Sequence, residues 1–166
     1  MVGWGMETHG RPPRRPGWDY SKPGVYFVTL TVRGWHPWFR EAGRPEGPLT
    51  AAGSVVEDTW LRLPSMFSRV QLDQIVIMPE HVHAVIILRE TQGPFTPLGE
   101  VVRYWKGFTR TKVKAAHPEF GWRVGFYDRI VRSQAALTMV RRYIQQNPAN
   151  YTGPWAELPA KPPRLL

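Results

Sequence analysis

Two short patterns in this 166-residue chain bring together side chains able to do chemistry. In Met78-Pro79-Glu80-His81-Val82-His83-Ala84-Val85-Ile86-Ile87-Leu88, two histidines stand one residue apart within an apolar run. Alternate side chains of an extended strand share a face, so His81 and His83 project together while Val82, Ala84 and Ile86 point the other way. Two neighbouring imidazoles can chelate one divalent cation if their remaining ring nitrogens are oriented by acceptors and further ligands complete the shell. The pattern alone is too short to specify a metal, and a purely structural pair is the plainer assignment. The surrounding apolar run argues for a role, because polar rings in a core-like strand need a compensating partner.

The second pattern is Arg141-Arg142-Tyr143-Ile144-Gln145-Gln146-Asn147-Pro148. Tyr143 and Asn147 are four residues apart, hence on one face of a helix and about one turn from each other. Asn147 offers an amide oxygen as a hard metal ligand, and Tyr143 a phenol capable of attacking phosphorus. With an ordinary pKa of ~10, that phenol needs a nearby cation or base to act at neutral pH. The bland alternative packs Tyr143 beside Val140 and Ile144 and leaves Asn147 merely to close the helix.

These residues must be positioned by elements whose signals are clear. Val25 to Val32, β-branched and aromatic between Gly24 and Gly34, makes a first strand. Thr50 caps a helix with apolar positions Ala52, Val55, Val56, Thr59, Trp60 and Leu63, which Pro64 is expected to stop. Val70 to Met78 and Val82 to Leu88 read as antiparallel neighbours joined by a tight turn at Pro79-Glu80. Thr96 is expected to cap a second helix, with Pro97 at its first position and an inward stripe of Leu98, Val101, Val102, Trp105, Phe108 and Val113. Phe126 to Val131 makes a fourth strand. Ser133 then caps a third helix, striped by Ala136, Leu137, Val140 and Ile144 and ended at Asn147 by Pro148. Strand, helix, strand, strand, helix, strand, with one helix appended, predicts an α+β, ferredoxin-like split βαβ sandwich with helices on one face and the other open to a ligand or the extra helix.

Composition bounds what such a domain can be. With 42% hydrophobic and 13% aromatic residues the chain can build a core, which excludes disorder, and its length argues against a separate cofactor domain. The absence of cysteine excludes disulfide scaffolds, Cys-ligated zinc and thiol catalysis. Its apolar runs are far short of the ~20 residues a membrane span needs and the N-terminus has no apolar signal region, so a cytoplasmic protein is expected. The segment 1–19 reads as a basic Pro-rich arm, 20–152 as the domain and 153–166 as a Pro-rich tail.

A net charge of +9 points to a polyanion, nucleic acid first, with a merely basic surface as the alternative. On the second helix Arg103, Lys106, Arg110 and Lys114 form a stripe opposite the apolar one, suited to a phosphate track, and Arg11, Arg14, Arg15, Arg141 and Arg142 are further candidates. Trp35 and Trp38 can stack unpaired bases or cover the sheet edge, whereas Trp60 and Trp105 lie on apolar stripes and are expected to pack.

Taken together, Tyr26-Phe27-Val28-Thr29-Leu30, Met78 to His83, Trp122 to Arg132 and Tyr143 to Pro148 resemble, in this order, the REP-associated tyrosine transposases, the single-domain branch of the HUH single-tyrosine transposases. The resemblance runs from about Tyr20 to Tyr151. Two positions depart from it: Glu80 stands where Asn is common, and Arg123 where Gln is usual.

The resemblance implies Mg²⁺ or Mn²⁺ held by His81 and His83, completed by Asn147, with Tyr143 as nucleophile. The reaction so implied nicks single-stranded DNA at imperfect hairpins, forms a 5′-phosphotyrosine and a free 3′-hydroxyl, and rejoins strands without ATP. It also implies a nucleoid-associated protein. The short Val131-Arg132-Ser133 link before the third helix favours a monomer over a homodimer with exchanged helices. Two rivals remain at this point: a non-catalytic module that binds hairpin nucleic acid, and a metal-dependent phosphodiesterase that uses water.

Overall fold

The computed structural model describes residues 14–92 and 95–153. Arg11 and the tail from Pro154 onward lie outside them. The described residues form β1 (Gly24–Thr31), a single 3-10 turn (Arg33–Trp35), α1 (Ala51–Met66), β2 (Val70–Ile77), β3 (His81–Leu88), α2 (Leu98–Lys114), β4 (Tyr127–Val131) and α3 (Gln134–Gln146). The strands make one antiparallel sheet in the order β2-β3-β1-β4. Two helical crossovers interleave their strands in this way, so the sheet has the ferredoxin-like order expected from the pattern of elements.

The two central strands carry apolar residues on both faces because both faces are covered. Tyr26, Val28 and Leu30 of β1, with Val82, Ala84, Ile86 and Leu88 of β3, join Val56, Trp60 and Leu63 of α1 and Leu98, Val101 and Trp105 of α2 in one buried cluster. Trp60 and Trp105 meet there with ring centroids 5.0 Å apart. On the opposite face Phe27 and Val85 pack under Ala136, Leu137, Val140 and Ile144 of α3. The appended helix therefore takes the second face of the sheet.

Three local expectations shift. Pro64 lies inside α1, which runs on to Met66. Proline removes one amide and crowds the preceding turn, yet near a helix end this is tolerated, and the Phe67 amide still reaches the Leu63 carbonyl at 2.9 Å. The cap of α2 is Pro97, not Thr96, and it has no side-chain bond. The Pro97 carbonyl takes the Glu100 amide at 2.9 Å. The inward stripe of α2 takes Thr109 in place of Phe108 and runs on to Val113, while Phe108 is half-buried and stacks on Tyr104 at 5.9 Å. By contrast Thr50 and Ser133 cap α1 and α3 as expected, their hydroxyls accepting from the Gly53 and Ala136 amides at 3.1 Å each. Among the described residues no helix is long and apolar enough to cross a membrane.

Candidate active site

Register sets the first half of the site. His81 and His83 lie opposite Thr31 and Thr29 of β1 and face α3. Both rings are fully buried, with centroids 4.7 Å apart. Each Nδ1 has a polar neighbour: the Thr29 hydroxyl at 2.8 Å for His83, and Glu80 Oε1 at 2.8 Å for His81. The Glu80 carboxylate only accepts, which puts the His81 proton on Nδ1 and the lone pair on Nε2, whereas the Thr29 hydroxyl can donate or accept and fixes the orientation of the His83 ring. Burial, and after it the neighbouring His81, holds the His83 imidazole well below the ordinary histidine range, so this ring is neutral.

The second half comes from α3. The Tyr143 hydroxyl lies 3.3 Å from His83 Nε2. The Tyr143 ring stands edge-on to Phe27, with centroids 5.9 Å apart, and Phe27 in turn stacks on His83 at 5.4 Å. Burial raises the Tyr143 phenol above its usual value, while a hydrogen bond with Asn147 and the charge of Arg129 act in the opposite direction. The structure brings Tyr143 to His83, His83 beside His81, and Asn147 to the Tyr143 hydroxyl. Imidazole nitrogens and an amide oxygen are donor types that a divalent cation accepts. Among the described residues no cluster of three His, Cys, Asp or Glu side chains offers an alternative.

Several participants escaped sequence reasoning. Arg129 reaches the site from β4, where it pairs with Phe27. Asp73 sits at a register shift between Leu72 and Ile75 of β2 and grips Arg141 of α3 through two bonds of 2.6 and 2.9 Å. A bulge of this kind re-aims a side chain. Tyr151, beyond the end of α3, donates its hydroxyl to Glu80 Oε2 at 3.0 Å. Thr29 and Arg129 lay inside quoted motifs, and nothing local paired either with the site.

The basic candidates separate into several places. Arg141 is engaged by Asp73, and the Arg14 guanidinium lies 4.9 and 4.8 Å from the ring centres of Tyr20 and Phe126. Arg15 and Arg142 are exposed. Arg103 is exposed beside Glu100, 3.9 Å away. Lys106, Arg110 and Lys114 line a cleft with Arg33 and Arg123. Burial lowers the Lys106 ammonium to about 8. Its Nζ donates to the carbonyls of Arg123 and Gly125 at 2.7 and 2.5 Å. Gly125 has φ +72°, a conformation that only glycine takes without strain. The cleft lies at the end of β1 that faces His81, since the Arg123 amide donates to the Thr31 carbonyl at 2.9 Å. Arg123 also rests 5.2 Å from the Trp35 ring centre, and Trp38 packs edge-on to Phe120 at 5.8 Å.

No protein-family model matches the chain. A Haemophilus influenzae protein described as uncharacterised is 28% identical over 159 aligned residues, covering 84% of this chain and 88% of the relative. Among solved structures, a REP-associated tyrosine transposase bound to a REP hairpin superposes with a TM-score of 0.62 at 20% identity, covering 84% of this chain and 75% of that one. A candidate transposase from Deinococcus radiodurans superposes with a TM-score of 0.50 at 14% identity, covering 81% of this chain and 96% of that one. At these identities the likeness establishes the fold, and the class it defines is the α+β architecture of the tyrosine transposases. This is the same family that the four motifs resemble.

Proposed function

We propose that this chain is a metal-dependent enzyme that nicks single-stranded DNA at hairpins and transfers the strand through a 5′-phosphotyrosine. The observation that carries the reading is the approach of the Tyr143 hydroxyl to 3.3 Å from His83 Nε2, beside the paired imidazole of His81. A nucleophile and a metal-ligand pair held together inside this fold are what such chemistry requires.

His81, His83 and Asn147 would hold Mg²⁺ or Mn²⁺. When bound, the cation would neutralise charge on the scissile phosphate. Tyr143 forms the new O–P bond while the bond from phosphorus to the 3′ oxygen breaks. The phenol gives up its proton and the leaving 3′ oxygen gains one, so no further reagent is consumed. A phosphodiester is retained, and attack by another 3′-hydroxyl regenerates the phenol and joins strands. Arg129 places a cation near the phenol, countering the burial that disfavours phenolate. The cleft of Arg33, Lys106, Arg110, Lys114 and Arg123 offers a phosphate track beside the end of β1. An unpaired strand is the fitting substrate, since a stacked duplex resists splaying its phosphate into a recessed site.

The test is a denaturing gel of the protein with labelled hairpin single strands in Mn²⁺ or EDTA. A metal-dependent adduct that survives denaturation is expected from the wild type and from neither Tyr143→Phe nor His83→Ala. Hairpin binding without any adduct across a broad sequence pool would reduce the domain to a binding module. Cleavage that persists in Tyr143→Phe would make water the nucleophile.

A further inference from the structure

We infer that Glu80 and Tyr151 are positioning residues for His81, forming a relay from the segment after α3 to the imidazole; the inference rests on the metal-dependent reading above. Glu80 occupies the turn between β2 and β3 and is 1% exposed. A buried carboxylate is costly unless its oxygens are hydrogen-bonded. Both are: Oε1 lies 2.8 Å from His81 Nδ1, and Oε2 accepts the Tyr151 hydroxyl at 3.0 Å. A carboxylate only accepts, so this contact places the proton on Nδ1 and the lone pair on Nε2.

Backbone bonds close the turn. The Glu80 carbonyl already accepts the Val32 amide at 3.1 Å, and the Met78 amide closes on the His81 carbonyl at 2.8 Å. The carboxylate meets the His81 ring on one oxygen and the Tyr151 hydroxyl on the other. An imidazole backed by a carboxylate is a better donor to a divalent cation than one backed by a neutral amide. Tyr151 is brought back by a turn in which its amide donates to the Pro148 carbonyl at 3.3 Å. The relay thus joins the end of the helix that bears Tyr143 to the orientation of His81. Nucleophile and metal ligand are aligned by one network.

The experiment is Mn²⁺ uptake by the full chain, read from the loss of the free-ion paramagnetic resonance signal, with no DNA present. Wild type is compared with the near-isosteric Glu80→Gln and with Tyr151→Phe. Glu80→Gln is expected to weaken Mn²⁺ binding by about 10–100-fold and Tyr151→Phe by less, with both variants folded by circular dichroism. Glu80→Asp is expected to recover part of the affinity. Thermal destabilisation with Mn²⁺ affinity unchanged in both variants would make the pair purely structural and overturn the relay alone. Failure of the wild type to take up Mn²⁺ would overturn the metal-dependent reading and the relay with it.

Discussion

Tyr143 and His83 meet as two neutral groups. Burial keeps the phenol protonated and the imidazole uncharged, and each shift disfavours the charged form of its own group. The contact between them depends on His83 keeping its orientation, and Thr29 provides that. Thr29→Val is nearly isosteric but removes the hydroxyl 2.8 Å from Nδ1. A loss of about 1–3 kcal/mol in unfolding free energy, measured by urea denaturation, is expected. Tyr143→Phe keeps the ring against Phe27 and is expected to cost far less. At this scale the legible residues were those whose type and spacing carry the chemistry within one element: the histidine pair on a strand, the tyrosine and asparagine on a helix. Thr29, Arg129 and Tyr151 gain their meaning from strand register or from chain folding back, neither of which local sequence encodes. Glu80 was visible only as a departure from a motif, because a carboxylate in a turn is ordinarily solvated.

At the scale of elements, the approach of Tyr143 to His83 depends on how α3 sits on the sheet. Its apolar stripe supplies burial, but a stripe permits sliding. Arg141 on Asp73 fixes the position, and the irregularity in β2 aims Asp73 towards it. Asp73→Ala is expected to speed amide hydrogen exchange in α3 while β1 and β3 stay protected, and to slow adduct formation on hairpin DNA. Unchanged exchange in α3 would show that the stripe suffices. The order and kind of elements were readable because periodicity, caps and proline signals agreed. The misjudged details were helix ends, where Pro64 and Pro97 take positions that backbone geometry allows but local rules disfavour. The bulge was invisible, since it shows only in how β2 pairs with β3.

At the scale of the whole molecule, the basic side chains among the described residues do not form one field. Arg14 and Arg141 are spent on internal contacts, while Arg33, Arg110, Lys114 and Arg123 remain around the cleft. Arg110→Ala and Lys114→Ala should each weaken hairpin binding similarly across sequences. Each should also reduce the slope of log affinity against log salt by about 0.7–0.9, measured by fluorescence anisotropy in EDTA. A slope unchanged in both would move the DNA path elsewhere.

The split order of the strands has a kinetic consequence. Only β2 and β3 are joined by a tight turn, so the hairpin that carries both histidines is the one pairing the chain can close cheaply. β1 must find β3 and β4 across long intervening segments, and such distant contacts are slow to form because loop closure precedes their reward. In folding, the histidine pair is accordingly organised locally, and Tyr143 reaches it only with the far end of the chain.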